Sequence, residues 1–123
     1  QIKWEQLKKT GITSEEQITP EILDILREKV VGYKTDEWVI LNDIDFEGYK
    51  NSIINALRNV VKVGNVPIVV SKHLYYETKT SAKLKIFMVI VNGKESWIVN
   101  VGKSGNNYKV RDAGVFIEDI FKN

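Results

Sequence analysis

Apolar positions along this chain change period once, close to Val66. Before that point they return every three or four residues, the spacing of one helix face; after it they alternate or run together, as in strands. The chain therefore divides into a mainly helical part, 1–64, and an antiparallel sheet, 65–123, within one α+β domain.

Three helical starts are legible. "TSEE" at Thr13 to Glu16 has capping-box spacing and predicts a short helix. "TPEILDILREKVVG" offers Thr19 as N-cap, Pro20 at the first helical position and Gly32 as a stop. Its residues Ile22, Leu23, Ile25, Leu26, Val30 and Val31 form an apolar side that needs a core to cover it. From Asp45, read as the cap, Phe46, Tyr49, Ile53, Leu57 and Val60 repeat at helical spacing, joined by Ile54 and Val61, until Gly64 ends the run. The intervening "YKTDEWVILNDID" reads as an irregular link that packs one aromatic, Trp38.

The second part is rich in β-branched and aromatic residues. Strands are expected at Val66 to Thr78, Lys83 to Val91, Lys94 to Val101 and Tyr108 to Asp112, with a loop at Lys79 to Ala82 and a closing helical turn in "FIEDIF". Asn92-Gly93 signals a two-residue hairpin turn, because both central residues must take positive φ. That turn would pair Val91 with Lys94, Met88 with Trp97, Ile86 with Val99 and Leu84 with Val101, making Leu84, Ile86, Met88, Trp97, Val99 and Val101 the core face.

The other face would then carry Lys85, Phe87, Val89 and Val91 beside Ser96, Ile98 and Asn100. A sheet covered by helices on one side should be largely polar on the other, so the apolar group Phe87, Val89 and Ile98 needs an explanation. Either the sheet is strongly curved, or Trp4 and Leu7 of the N-terminal segment lie across it, or the patch is a binding surface with a charged rim. On the last reading Phe87, Val89 and Ile98 make the apolar contact, and Lys85 and Arg111 form the rim. Phe87→Asp should then abolish binding and leave the fold intact.

Composition narrows the function classes. An apolar share of 43% with 28% charged residues is that of a globular chain, and no apolar run is long enough to span a membrane as a helix. There is no cysteine, which excludes disulfides, thiolate metal sites and a cysteine nucleophile. The net charge of +2 divides unevenly: residues 1–62 hold nine Lys and Arg against eleven Asp and Glu, and residues 63–123 hold nine against five. The basic half suits an anionic contact but lacks the dense stripe of a nucleic-acid domain. Abundant Lys, Asn and Ile, with arginine only at Arg27, Arg58 and Arg111, suggests an AT-rich microbial genome. The start at Gln1 without methionine fits either a trimmed chain or a mature product whose leader has been removed.

Candidate chemistry is sparse. The one histidine, His73, could form an acid–base pair with Asp112 if the two meet, but a lone strand histidine is more often simply solvated or hydrogen-bonded. "NDIDFE" lacks the glycine and terminal glutamate of a calcium loop, and "GKSGNN" lacks phosphate-loop spacing and reads as a hairpin loop. Tyr75, Tyr76, Phe87 and Tyr108 read as aromatics filling the pleat rather than as a base-stacking platform. No metal or cofactor is implied.

A helical first half, long antiparallel strands and a final "NNYKVRDAGV" resemble the cystatin-like α+β roll of the nuclear-transport-factor-2-like superfamily. Tyr108, Lys109, Val110, Arg111 and Asp112 match an aromatic-Lys-Val/Ile-x-Asp pattern of its extracytoplasmic bacterial members, among them lumazine-binding-like lipoprotein domains and toluene-tolerance phospholipid carriers. The resemblance implies two or three helices on one face of a curved four-stranded antiparallel sheet. It also implies a non-enzymatic, extracytoplasmic binding domain for an apolar small molecule or a protein partner. An immunity- or inhibitor-type interaction module and a cavity enzyme of isomerase or dehydratase type are the alternatives.

Overall fold

A computed structural model describes residues 11–28, 37–78, 81, 83–93 and 95–115. A 3-10 turn, Glu15–Gln17, precedes helix α1, Pro20–Glu28; a two-residue strand β1, Glu37–Trp38, precedes helix α2, Asp43–Asn59. Four long strands follow, β2 Ile68–Glu77, β3 Lys85–Val91, β4 Glu95–Ser104 and β5 Asn107–Val115. They form an antiparallel meander in chain order, with β1 paired to β2 at one edge.

The helices start where short polar side chains can satisfy free backbone donors. Thr19 Oγ1 accepts from Ile22 N at 3.3 Å, and Pro20 follows at the first position, where its missing N–H costs nothing. In α2 the cap is Asn42, whose side chain accepts from Asp45 N at 2.8 Å, so Asp45 sits inside the first turn and is free for other work. The first capping interaction also lies one residue later than expected: Gln17 Oε1 accepts from the backbone of Thr13 and Ser14, at 2.6 and 2.9 Å.

The two helices pack on opposite faces of the sheet, where the sequence pattern suggested one. Ile22 and Leu26 of α1 join Ile12, Val69, Leu74, Tyr76, Ile86, Met88 and Ile90 in one apolar cluster. Phe46, Tyr49, Ile53 and Leu57 of α2 join Val70, Tyr75, Phe87, Val89, Val91, Trp97, Val99 and Val101 in the other. Alternate residues of β3 thus enter different cores, and the strand is apolar on both sides because both sides are covered.

The hairpin register also differs from the expected one. Asn92 and Gly93 do take positive φ, 58° and 73°, but the ladder closes at Val91↔Glu95, so Val89 opposes Trp97, Met88 opposes Ile98 and Phe87 opposes Val99. A slip of one residue moves every β4 side chain to the other face. Trp97, Val99 and Val101 accordingly share the α2 core with Phe87 and Val89 instead of joining Ile86 and Met88. The turn answers to more than its own residues: Ile12 N donates to Gly93 O at 3.0 Å and Asn92 N to Pro67 O at 2.8 Å. Gly11 lies so close to Gly93 that a side chain there would strike the Gly93 backbone.

On β2 the ladder jumps from Val70↔Val89 to Tyr75↔Phe87, leaving Ser71 to Leu74 opposite Met88 alone. This wide bulge carries His73. Arg27 of α1 satisfies the bulge backbone, donating from Nη2 to His73 O at 2.8 Å while its guanidinium lies 4.9 Å from the Trp38 ring centre. Trp38 in turn meets Tyr76 edge-on, with ring centres 5.0 Å apart, and is the packed aromatic the link was expected to bring. Trp4, Leu7, Val30, Val31, Gly32, Lys79, Thr80 and Ala82 of the expected loop, and "FIEDIF" lie outside the described residues.

Candidate functional site

Charge gathers at the end of the sheet where β3 begins and β4 ends. Lys85 opens β3 and pairs with Val101; Lys103 lies two residues further along β4. Between β4 and β5 the ladder passes from Asn100↔Asp112 to Val101↔Val110, so Arg111 is the extra residue of a bulge. A bulge residue has no ladder partner and its side chain is re-aimed. Here the guanidinium lies across Gly102: a Cβ added there would collide with it, with Cζ and Nη2 both 3.0 Å away. Glycine at 102 leaves the space that the arginine side chain takes.

Together Lys83, Leu84, Lys85, Asn100, Val101, Gly102, Lys103 and Arg111 line an open hollow of about 190 Å³. Segment 83–84 is tied to the end of β2 by a reciprocal pair, Thr78 N to Leu84 O at 3.0 Å and Leu84 N to Thr78 Oγ1 at 2.9 Å. Four cations line the hollow and no carboxylate does.

One acidic group reaches the edge of the hollow from α2. Asp45 Oδ1 accepts from Tyr108 Oη at 2.6 Å and from Lys103 Nζ at 3.1 Å. The Tyr108 hydroxyl, and then the Lys103 ammonium, hold the Asp45 carboxyl below its ordinary range; the same carboxylate raises Lys103 and Tyr108 above theirs. Tyr108 is fixed further by Ser52, whose hydroxyl donates to Tyr108 O at 2.8 Å, and by Tyr49, which it meets edge-on with ring centres 4.8 Å apart. Gly48 makes this approach possible, since a Cβ at 48 would overlap the Tyr108 ring. Thus α2 and β5 anchor one wall of the hollow.

Of the residues named from sequence as a binding surface, the apolar three do not share an exposed face. Phe87 and Val89 are both 0% exposed, enclosed by Phe46, Tyr49 and Tyr75 under α2. Ile98 is on the opposite side of the sheet, packed against the α1 core. The apolar patch is therefore corrected to two halves of two different cores, because the β4 register differs by one residue. Lys85 and Arg111 do meet, as walls of the hollow. Lys83, Lys103, Asn100 and Gly102 were missed. A glycine next to a lysine in "VGKSG" was the available signal, and it was absorbed into a loop reading.

His73 and Asp112 do not converge. They stand on β2 and β5 with β3 and β4 between them, roughly 14 Å apart at ordinary strand spacing. Asp112 turns back on its own strand, Oδ1 accepting from Ala113 N at 2.9 Å. Tyr75, buried on β2 in the α2 core, has a structural partner too: its Oη donates to Glu77 Oε2 at 2.8 Å, and burial together with that carboxylate pushes its pKa well up. Among the described residues no group of three or more His, Asp or Glu is placed to hold a metal ion, and no helix is long and apolar enough to cross a membrane. Compared with protein families, with curated proteins and with solved structures, the chain matches none.

Proposed function

We propose that this chain is a non-enzymatic binding domain that works by surface contact with a protein partner, and that the contact is the basic end of the sheet around Lys85 and Arg111. One observation carries the reading: three lysines and an arginine line an open hollow that no carboxylate lines, with Asp45 bonded to Lys103 at its edge. Such a surface favours an acidic partner and speeds encounter with it. Two filled cores support the protein-contact reading over a carrier for an apolar small molecule, because the sheet faces that would line a lipid cavity are occupied by Phe46, Tyr49, Ile53 and Leu57 on one side and Ile22 and Leu26 on the other. The separation of His73 from Asp112 removes the pair on which the isomerase or dehydratase alternative rested.

The cystatin-like roll and an extracytoplasmic setting belong to this proposal. A 17-residue helix laid on one face of four antiparallel strands supports the roll, and the second helix on the other face departs from it. The test is capture of partners by the purified chain and by a Lys85→Glu/Arg111→Glu variant at low and high salt, with extraction of the chain for bound apolar molecules alongside. An acidic protein held in 1:1 stoichiometry by the natural chain, released by salt and lost in the variant, supports the reading. A co-purified lipid, or a partner held equally by the variant, contradicts it.

A further inference from the structure

We infer that the hollow is a site for one phosphoryl group, a doubly charged oxyanion of phosphate size. The inference rests on the surface assigned above and names the group that surface reads. The first argument is charge. Lys83, Lys85 and Arg111 line the hollow and take part in no ion pair among the described residues, while Lys103 shares Asp45. Three formal positive charges therefore line the space outside any ion pair among the described residues, with Glu77 across the ladder from Lys85 as a carboxylate near them. A single carboxylate would neutralise one of them; a phosphoryl dianion neutralises two and offers three acceptor oxygens to distribute among separate donors.

Donor geometry is the second argument. The Arg111 guanidinium is a planar fork, and it lies close over Gly102 at a bulge that leaves this residue outside the ladder. Such a fork gives directional, paired hydrogen bonds to an oxyanion, while lysines supply charge without fixed direction. The hollow combines one fork with three such charges, and Asn100 adds an amide to its wall. Size is the third argument. At about 190 Å³ the hollow is smaller than the roughly 300–1,000 Å³ of pockets that enclose a whole drug-sized ligand. It suits a head group whose carrier stays outside.

The linkage through Lys103 is part of the site. An anion in the hollow competes with Asp45 for the Lys103 ammonium, so occupancy is felt at the Tyr108 hydroxyl, which shares the same Asp45 oxygen.

The experiment is a two-dimensional amide NMR titration at constant ionic strength and neutral pH, with inorganic phosphate and O-phosphoserine as parallel arms and acetate and hexaglutamate as controls. Saturable 1:1 shifts centred on the Gly102 and Arg111 amides, with phosphoryl compounds at least about tenfold tighter than acetate, are expected. O-phosphoserine binding tighter than phosphate points to a side-chain source; equal affinity or the reverse points to the free ion. Arg111→Met and Lys85→Met should each weaken binding roughly tenfold, as loss of a charge-assisted hydrogen bond does. Gly102→Ala keeps every charge but displaces the fork, and should weaken binding to a similar degree while the amide spectrum stays that of a folded chain. Absence of saturable phosphoryl binding, or acetate binding equally well, overturns the inference. If hexaglutamate still shifts the same amides, the surface-contact reading survives that failure; if nothing shifts them, both fall.

Discussion

Phe87 offers the sharpest energetic test, because the open-face and two-core readings of the sheet assign it opposite roles. The ring is fully buried, with ring centres of Tyr75, Tyr49 and Phe46 at 4.8, 5.9 and 6.4 Å. Truncation to alanine removes the transfer free energy of the ring and leaves a cavity beneath α2, a loss of about 3–5 kcal/mol. A chain of 123 residues is stable by roughly 6–18 kcal/mol in total, so Phe87→Ala should remain folded but be severely weakened. At roughly 3–5 °C per kcal/mol for this size, the midpoint of thermal unfolding should fall by about 10–25 °C. Phe87→Asp adds the desolvation of a carboxylate with no partner and should not fold. The assay is urea unfolding followed by tryptophan fluorescence, with Lys85→Ala, two residues away and at the hollow, as the comparison. That variant should change stability by no more than about 0.5 kcal/mol. A loss below about 1 kcal/mol for Phe87→Ala would refute the burial argument and restore Phe87 as a surface residue.

Further outcomes follow from the α2–β5 contact and from the close approach of Arg111 to Gly102. Gly48→Ala forces a methyl group into the Tyr108 ring, which Tyr49 and Ser52 hold in place, and should cost about 1–3 kcal/mol by calorimetry. Gly102→Ala meets only the movable end of Arg111 and should cost much less. Asp45 has a folded pKa depressed below its unfolded value near 3.9, so its contribution is fully present above that value and is lost as pH falls through the folded pKa. In Tyr108→Phe the carboxyl loses its first donor, and an NMR titration of Asp45 should show its pKa moving up towards the ordinary range.

Where the sequence could be read, a local cause was at work. Apolar spacing placed Phe46, Tyr49, Ile53 and Leu57 on one helix face, and β-branched runs placed the four strands to within a few residues. Positive φ at Asn92 and Gly93 was equally local. The register was not, since it depends on Ile12 and Pro67 taking up hydrogen-bonding groups of the turn from elsewhere in the chain. Nor does any short segment say that α1 and α2 lie on opposite faces; the clue was the two-sided apolar character of β3, which fits a covered face as well as an exposed patch. Lys85 and Arg111 could be named from charge and alternation. Their meeting required the bulge between Asn100 and Val101, which a strand pattern does not encode.

The central claim, that both faces of the sheet are covered, has a direct test because the chain contains no cysteine of its own. Single Met88→Cys and Val89→Cys variants place neighbouring thiols on the α1 and α2 sides, both at positions with 0% exposure. Measured under native conditions with a small aromatic disulfide reagent, both thiols should react only at the rate at which the chain opens. If either reacts at the rate of a free thiol in a folded variant, one face of the sheet is open and the two-core account is wrong.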